Sequence, residues 1–220
     1  MVFLHGYLSS KEAFTAQIAY FSRFYRVTAI DFIGFGNSAR LSQPFSVADY
    51  AQWTKEAFHL LEVKHPHVIA HSFGCRVAVK MAAADPAFFD KMLLTGAAGV
   101  IMDRGFRYRA RVKAYRLVKR VAPKYAERHF GSAEYRNLPP VMKESYKKIV
   151  NEDLRSCAKN VENEVLLVQG REDTVTPKRE AEAYLACFSH GKLTEMEGGH
   201  FAFAEHPSAF NIIAEEFFYG

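Results

Sequence analysis

The chain has 220 residues, 49% of them hydrophobic, and carries 29 Lys and Arg against 24 Asp and Glu for a net charge of +5. This is enough for one compact unit with a sizeable core, and the absence of any run of 18 apolar residues excludes a membrane-spanning helix. Cys75, Cys157 and Cys187 are an odd number at unrelated spacings; they form neither a disulfide framework nor a zinc motif, which favours a reducing cytoplasm.

In chain order, β-rich runs fall near residues 2–4, 25–30, 66–70, 91–95, 165–169 and 192–196. The opening Met-Val-Phe-Leu is too short for a signal peptide. Helical patterns cover 48–61, 73–84, 178–187 and 208–218. Such alternation predicts an α/β fold with a mostly parallel sheet and helices on both faces. Between residues 99 and 160 the alternation stops, and the segment is helical, aromatic and basic. It is too long for an ordinary loop. Pro139-Pro140 divides it, after which Val141, Met142, Tyr146, Ile149 and Val150 recur at helical spacing.

The chemistry gathers at three points. Val68-Ile69-Ala70-His71-Ser72-Phe73-Gly74 is a β-branched run that ends at a serine and passes directly into a helix. A turn this tight leaves the Ser72 hydroxyl exposed, with the Phe73 N–H and the helix N-terminus aimed at a developing negative charge. The plainer alternative is a serine that caps the helix. A serine nucleophile also needs a base and a carboxylate to orient that base. Asp173 follows the strand-like Val165-Leu166-Leu167-Val168-Gln169, and His200 lies in the turn Gly198-Gly199-His200-Phe201 before the last helix.

These segments resemble the α/β-hydrolase superfamily along nearly the whole chain. The order Ser72, Asp173, His200 is the order of that family's triad. Phe3-Leu4-His5-Gly6-Tyr7 resembles its His-Gly loop, which implies the Tyr7 N–H as second oxyanion donor beside that of Phe73. Asp31 to Ser38 is similar to its Asp-x-x-Gly-x-Gly-x-Ser loop, and Gly170 to Pro177 to its acid segment. The resemblance implies a core of residues 1–99 and 161–220 with a helical lid inserted at 100–160. Three departures stand out. Ala70 and Cys75 occupy positions where relatives carry glycine, and the family's usual first two strands are missing before the His-Gly loop. The strand at 27–30 is therefore expected at a sheet edge, exposed to edge pairing and poor solubility, as in a shortened chain or one with a misplaced start.

Positive charge concentrates in the expected lid. Residues 103–128 hold ten Lys or Arg against two acidic residues, +8 locally, leaving −3 for the rest. On a helix Arg109, Lys113, Arg116 and Arg120 share one face, while Tyr108, Val112, Tyr115 and Ala122 fall on another. The plain reading is a solvated outer face; a weak attraction to an anionic substrate or surface is the alternative, and no nucleic-acid recognition fold is present. No metal-ligand spacing and no dinucleotide fingerprint is present, since Gly34-Phe35-Gly36 lacks its third glycine, so no cofactor is expected. His71 and His206 are read as structural, His5 as shaping the oxyanion loop, and Asp31 as the runner-up acid.

The implied reaction is acyl transfer to water on a small-molecule substrate. Met102, Phe106, Tyr108, Tyr115, Phe130, Tyr135, Met142 and Tyr146 suggest an apolar pocket, although many would simply pack the lid onto the core. Carboxylic esters are the first expectation. Cleavage of a carbon-carbon bond in a ring-fission dienoate is the related one, and a noncatalytic small-molecule-binding protein is the reading from another class.

Overall fold

A computed structural model describes residues 1–102, 135 and 137–220. Among the described residues six strands form one wholly parallel sheet: β1 (Val2–Leu4), β2 (Thr28–Ile30), β3 (Val68–His71), β4 (Met92–Thr95), β5 (Val165–Gly170) and β6 (Gly191–Met196). The α-helices among the described residues are α1 (Thr15–Phe21), α2 (Val47–Leu60), α3 (Phe73–Ala84), α4 (Pro140–Val150), α5 (Arg155–Ala158), α6 (Lys178–Leu185), α7 (Ala202–Glu205) and α8 (Pro207–Tyr219), and a 3-10 turn spans Lys11–Phe14. Among the described residues no helix is long and apolar enough to cross a membrane. The basic helix face and the aromatic residues 106, 108, 115 and 130 of the expected lid lie outside the described residues.

Side-chain alternation divides the core into two layers. Val2, Leu4, Val68, Ala70, Met92, Leu94, Val165 and Leu167 point to one face, where they join Phe58 of α2, Val77 and Met81 of α3, and Tyr184 of α6. Phe3, Ile69, Leu93, Leu166 and Val168 point to the other, against Phe21, Phe210 and Phe218 of α1 and α8. Successive strand residues face opposite ways, so near-continuous apolar strands need helices on both sides. The four inner strands are buried throughout.

The strand order is β2-β1-β3-β4-β5-β6. β2 lies at an edge, as the sequence predicts, but it is shorter than the expected 25–30. The Phe24 and Tyr25 amides both donate to the Phe21 carbonyl at the end of α1, at 3.0 and 2.9 Å, and are unavailable to a ladder. The chain leaves β1 for one side of the sheet and then returns to its other side with β3. In open α/β sheets such a reversal leaves a crevice at the strands' carboxyl ends, and here Gly6, Tyr7 and Ser72 follow those ends directly.

Local signals explain the helix boundaries. Ser46 and Asp49 form a capping box at α2, and Pro140 occupies the first turn of α4, where a missing N–H costs nothing. α4 bears on the mouth of the crevice. The Tyr7 hydroxyl donates to the Met142 carbonyl at 3.0 Å, and the Phe45 amide donates to the Ser145 hydroxyl at 3.0 Å.

Helix α3 packs on β1 without a spacer. A Cβ at Gly74 would lie 2.2 Å from the Leu4 carbonyl oxygen and 2.9 Å from that of His5. The obstacle is backbone and cannot rotate away. Gly74→Ala is therefore expected to destabilise the protein by about 1–3 kcal/mol or more, read as a lower urea midpoint; an unchanged midpoint would contradict this packing.

Candidate active site

Ser72 is the first residue past β3, and its backbone is at φ 49°, ψ −107°. A non-glycine residue with positive φ is unusual and strained. The turn is pinned on both sides: the Ser72 amide donates to the Thr95 carbonyl at 3.1 Å, and the Cys75 amide donates to the Ser72 carbonyl at 3.1 Å. The Ser72 side chain makes no capping hydrogen bond to α3, so the helix-cap alternative fails. Ala70 and Cys75 do not disturb the turn. Cys75 is fully buried, its thiol lying 3.2 Å from the Ala70 carbonyl and 3.6 Å from that of Thr95, and burial pushes its pKa up.

Asp173 and His200 meet from neighbouring loops. His200 Nδ1 and Asp173 Oδ2 are 2.8 Å apart. The same oxygen accepts from Thr176 Oγ1 at 2.8 Å, while Oδ1 accepts from the Val175 and Thr176 amides at 2.8 and 2.9 Å. Burial pushes the Asp173 carboxyl up, but the bonds from His200 and Thr176 outweigh it and hold the carboxyl below its ordinary range. An ionised Asp173 facing Nδ1 assigns the proton there and leaves Nε2 as the acceptor. The Asp173 loop is fastened in turn by the buried Gln169 amide, which donates to the Thr176 carbonyl at 2.9 Å.

The turn carrying His200 is held as well. The Gly198 amide donates to Glu172 Oε2 and the Gly199 amide to Glu205 Oε2, both at 2.7 Å. His71 completes the support: its Nε2 donates to the His200 carbonyl at 2.9 Å. Its other ring nitrogen has no hydrogen-bond partner and faces Gly6, where a Cβ would come within 2.7 Å. Burial first, then the neighbouring His200, push the His71 pKa down to about 3. His71 is thus a neutral structural group.

Tyr7, Ser72, Phe73 and His200 all line one cavity of about 520 Å³, a volume suited to a small organic ligand. Its walls include Tyr135, Leu138, Tyr146 and Ile149, from the segment expected to form the lid. Ser72 and His200 share this space, and among the described residues no hydrogen bond joins them; in substrate-free sites that contact is often long and tightens on binding. Met142 is not a wall residue but is buried in the core beneath.

The remaining candidates are structural. Asp31 accepts from the Lys11 amide at 2.8 Å, the Lys11 ammonium at 2.9 Å and the Asn37 amide at 3.0 Å, binding loops together outside the cavity wall. His5 does more than pack: its Nε2 accepts from the Phe32 amide at 3.0 Å and its Nδ1 donates to the Gly6 carbonyl at 2.7 Å. His206 is exposed at the start of α8. Among the described residues no cluster of three or more His, Cys, Asp or Glu side chains is arranged for a metal ion. Sequence reasoning missed Thr176 and Gln169. Thr176, three residues beyond Asp173, had a local signal in the turn-forming Asp-x-x-Thr-Pro spacing; Gln169 had none.

Comparison with known proteins agrees with this architecture. The profile of the alpha/beta hydrolase family matches residues 1–211. An uncharacterized protein of Mycobacterium tuberculosis is 23% identical over 253 residues, covering 99% of this chain and 74% of its own length. An esterase from Exiguobacterium antarcticum superposes with a TM-score of 0.80 at 18% identity, over 100% of this chain and 91% of the esterase. The meta-cleavage product hydrolase of Pseudomonas fluorescens IP01 superposes with a TM-score of 0.75 at 24% identity, over 99% and 89%.

The His71 shift carries a pH signature. The unfolded chain binds this proton near pH 6.5 and the folded protein only near pH 3. Between those values the unfolded state holds more protons, so stability is complete above the upper value and falls with falling pH, by about 1.4 kcal/mol per pH unit. His71→Gln keeps a donor and removes the titration. Its stability is expected to decline less steeply through that window, measured as urea midpoints against pH; parallel curves for the two proteins would contradict a neutral buried His71.

Proposed function

The chain belongs to the alpha/beta hydrolase family, and we propose that it is a serine hydrolase acting on a small, largely apolar acyl compound, carboxylic esters first. The observation that carries the reading is the 2.8 Å contact between His200 Nδ1 and the buried Asp173 Oδ2, with His200 lining the same cavity as a serine held at positive φ. His200 Nε2 removes the Ser72 proton as Oγ attacks the carbonyl carbon, and Asp173 stabilises the resulting imidazolium. Negative charge collects on the former carbonyl oxygen, where the Tyr7 and Phe73 amides serve as donors, each worth about 2.7–4 kcal/mol in the transition state. His200 then returns the proton to the leaving alcohol, and water, activated by the same imidazole, releases the acyl group.

Residues 100–160 act in this reading as a lid, since Tyr135, Leu138, Tyr146 and Ile149 supply much of the apolar wall. The three free thiols suit a reducing cytoplasm.

Labelling with a fluorophosphonate probe, with hydrolysis of short p-nitrophenyl esters, tests the reading. Wild type is expected to label and turn over, whereas Ser72→Ala and His200→Ala lose labelling and at least about 10³-fold in kcat/KM. A folded wild type that neither labels nor turns over any ester would overturn it.

A further inference from the structure

Arg76 is a buried cation in the catalytic cavity, and among the described residues no acidic side chain forms an ion pair with it. It is 7% exposed, and it lines the same cavity as Ser72 and His200. It lies on α3 one helical turn past Ser72, a rise of roughly 6 Å. Helical side chains lean toward the helix N-terminus, which here ends at Ser72.

The guanidinium has five N–H donors. One of its nitrogens, Nη1, donates to the Glu152 carbonyl at 2.7 Å. The nearby carboxylates are committed elsewhere: that of Glu152 to the Lys80 ammonium at 2.7 Å, and that of Asp153 to Arg155 at 2.7 Å. Glu180, the other charged residue of the wall, has an interaction of its own and is not among the leading charges acting on Arg76. Burial lowers the Arg76 pKa, yet an arginine in a protein does not discharge. A desolvated charge whose hydrogen-bond partner among the described residues is a neutral carbonyl, with the Glu152 and Asp153 carboxylates acting on it from a distance, is costly, and an entering anion offsets that cost.

We propose that Arg76 anchors an anion subsite, and that the acyl compound cleaved at Ser72 carries a carboxylate on its acyl part. This rests on the serine-hydrolase reading and adds the substrate's charge. A planar guanidinium fork matches a carboxylate through two parallel N–H···O bonds. Nucleophile and anion anchor ride on one helix, so the distance between reacting carbonyl and carboxylate is set by the helix and not by a loop.

The test compares monoethyl glutarate and monoethyl adipate with the neutral ethyl pentanoate, followed by proton release. Wild type is expected to favour one of the half-esters by at least about tenfold in kcat/KM. Arg76→Met lowers that ratio by at least about tenfold, and Arg76→Lys, which keeps charge without the fork, falls between. Glutarate competes with substrate in wild type and not in Arg76→Met. A residue that merely clamps the Glu152 carbonyl would instead lower Tm and depress all three esters alike, leaving the ratio unchanged. A wild-type ratio near one overturns the proposal even if Arg76→Met fails to fold. If no ester is hydrolysed, the serine-hydrolase reading fails separately, and calorimetric binding of glutarate to wild type, with loss in Arg76→Lys, decides the subsite; no binding sinks it.

Discussion

Everything at this site depends on one backbone residue held where side chains rarely go. Ser72 at positive φ costs about 1–3 kcal/mol, and it persists because its surroundings allow no other path. β3 must end against Thr95, α3 must begin at once, and Gly74 lets that helix touch the β1 backbone. Gly6 leaves room on the opposite side for His71 and Ser72. Relaxing the turn would lift α3 off the sheet and expose the core that Val77 and Met81 fill. The packing of the central strands thus keeps the hydroxyl facing the cavity.

The other half of the site is built from hydrogen bonds and not from strain. All the acceptor capacity of Asp173 that the loop can reach is used, by two amides, a hydroxyl and an imidazole. The turn before His200 is tied down by Glu172 and Glu205, and from beneath by His71. The His71 ring lies 4.7 Å from the His200 ring, and its burial keeps it neutral.

Arg76 joins the two themes. The helix that begins at Ser72 also carries Arg76, and the chain returning from α4 is docked onto the same helix through Glu152. The cavity wall at Arg76 is therefore coupled to a helix buried in the core. Recognition placed on a core helix is more rigid than recognition placed on a loop.

The sequence by itself determined the fold class, the approximate places of the strands and Ser72, Asp173 and His200 as candidate site residues. Each of those segments is under local constraint: a serine between a β-branched run and a helix, an acid after a buried strand, a histidine after paired glycines. Local pattern does not say which polar groups meet across the chain. Asp31 and Asp173 both end strands, and only the tertiary structure joined one to His200 and the other to Lys11. The helix at Thr15–Phe21 escaped notice because its face is defined by Phe14 and Phe21 packing on Phe203 and Phe218, residues almost two hundred positions away. That the Ser72 side chain does not cap α3, that His71 supports the His200 turn and that Arg76 lines the cavity likewise became legible only in the fold. Burial and charge environment belong to the assembled space around a residue, and neighbours in sequence do not encode that space.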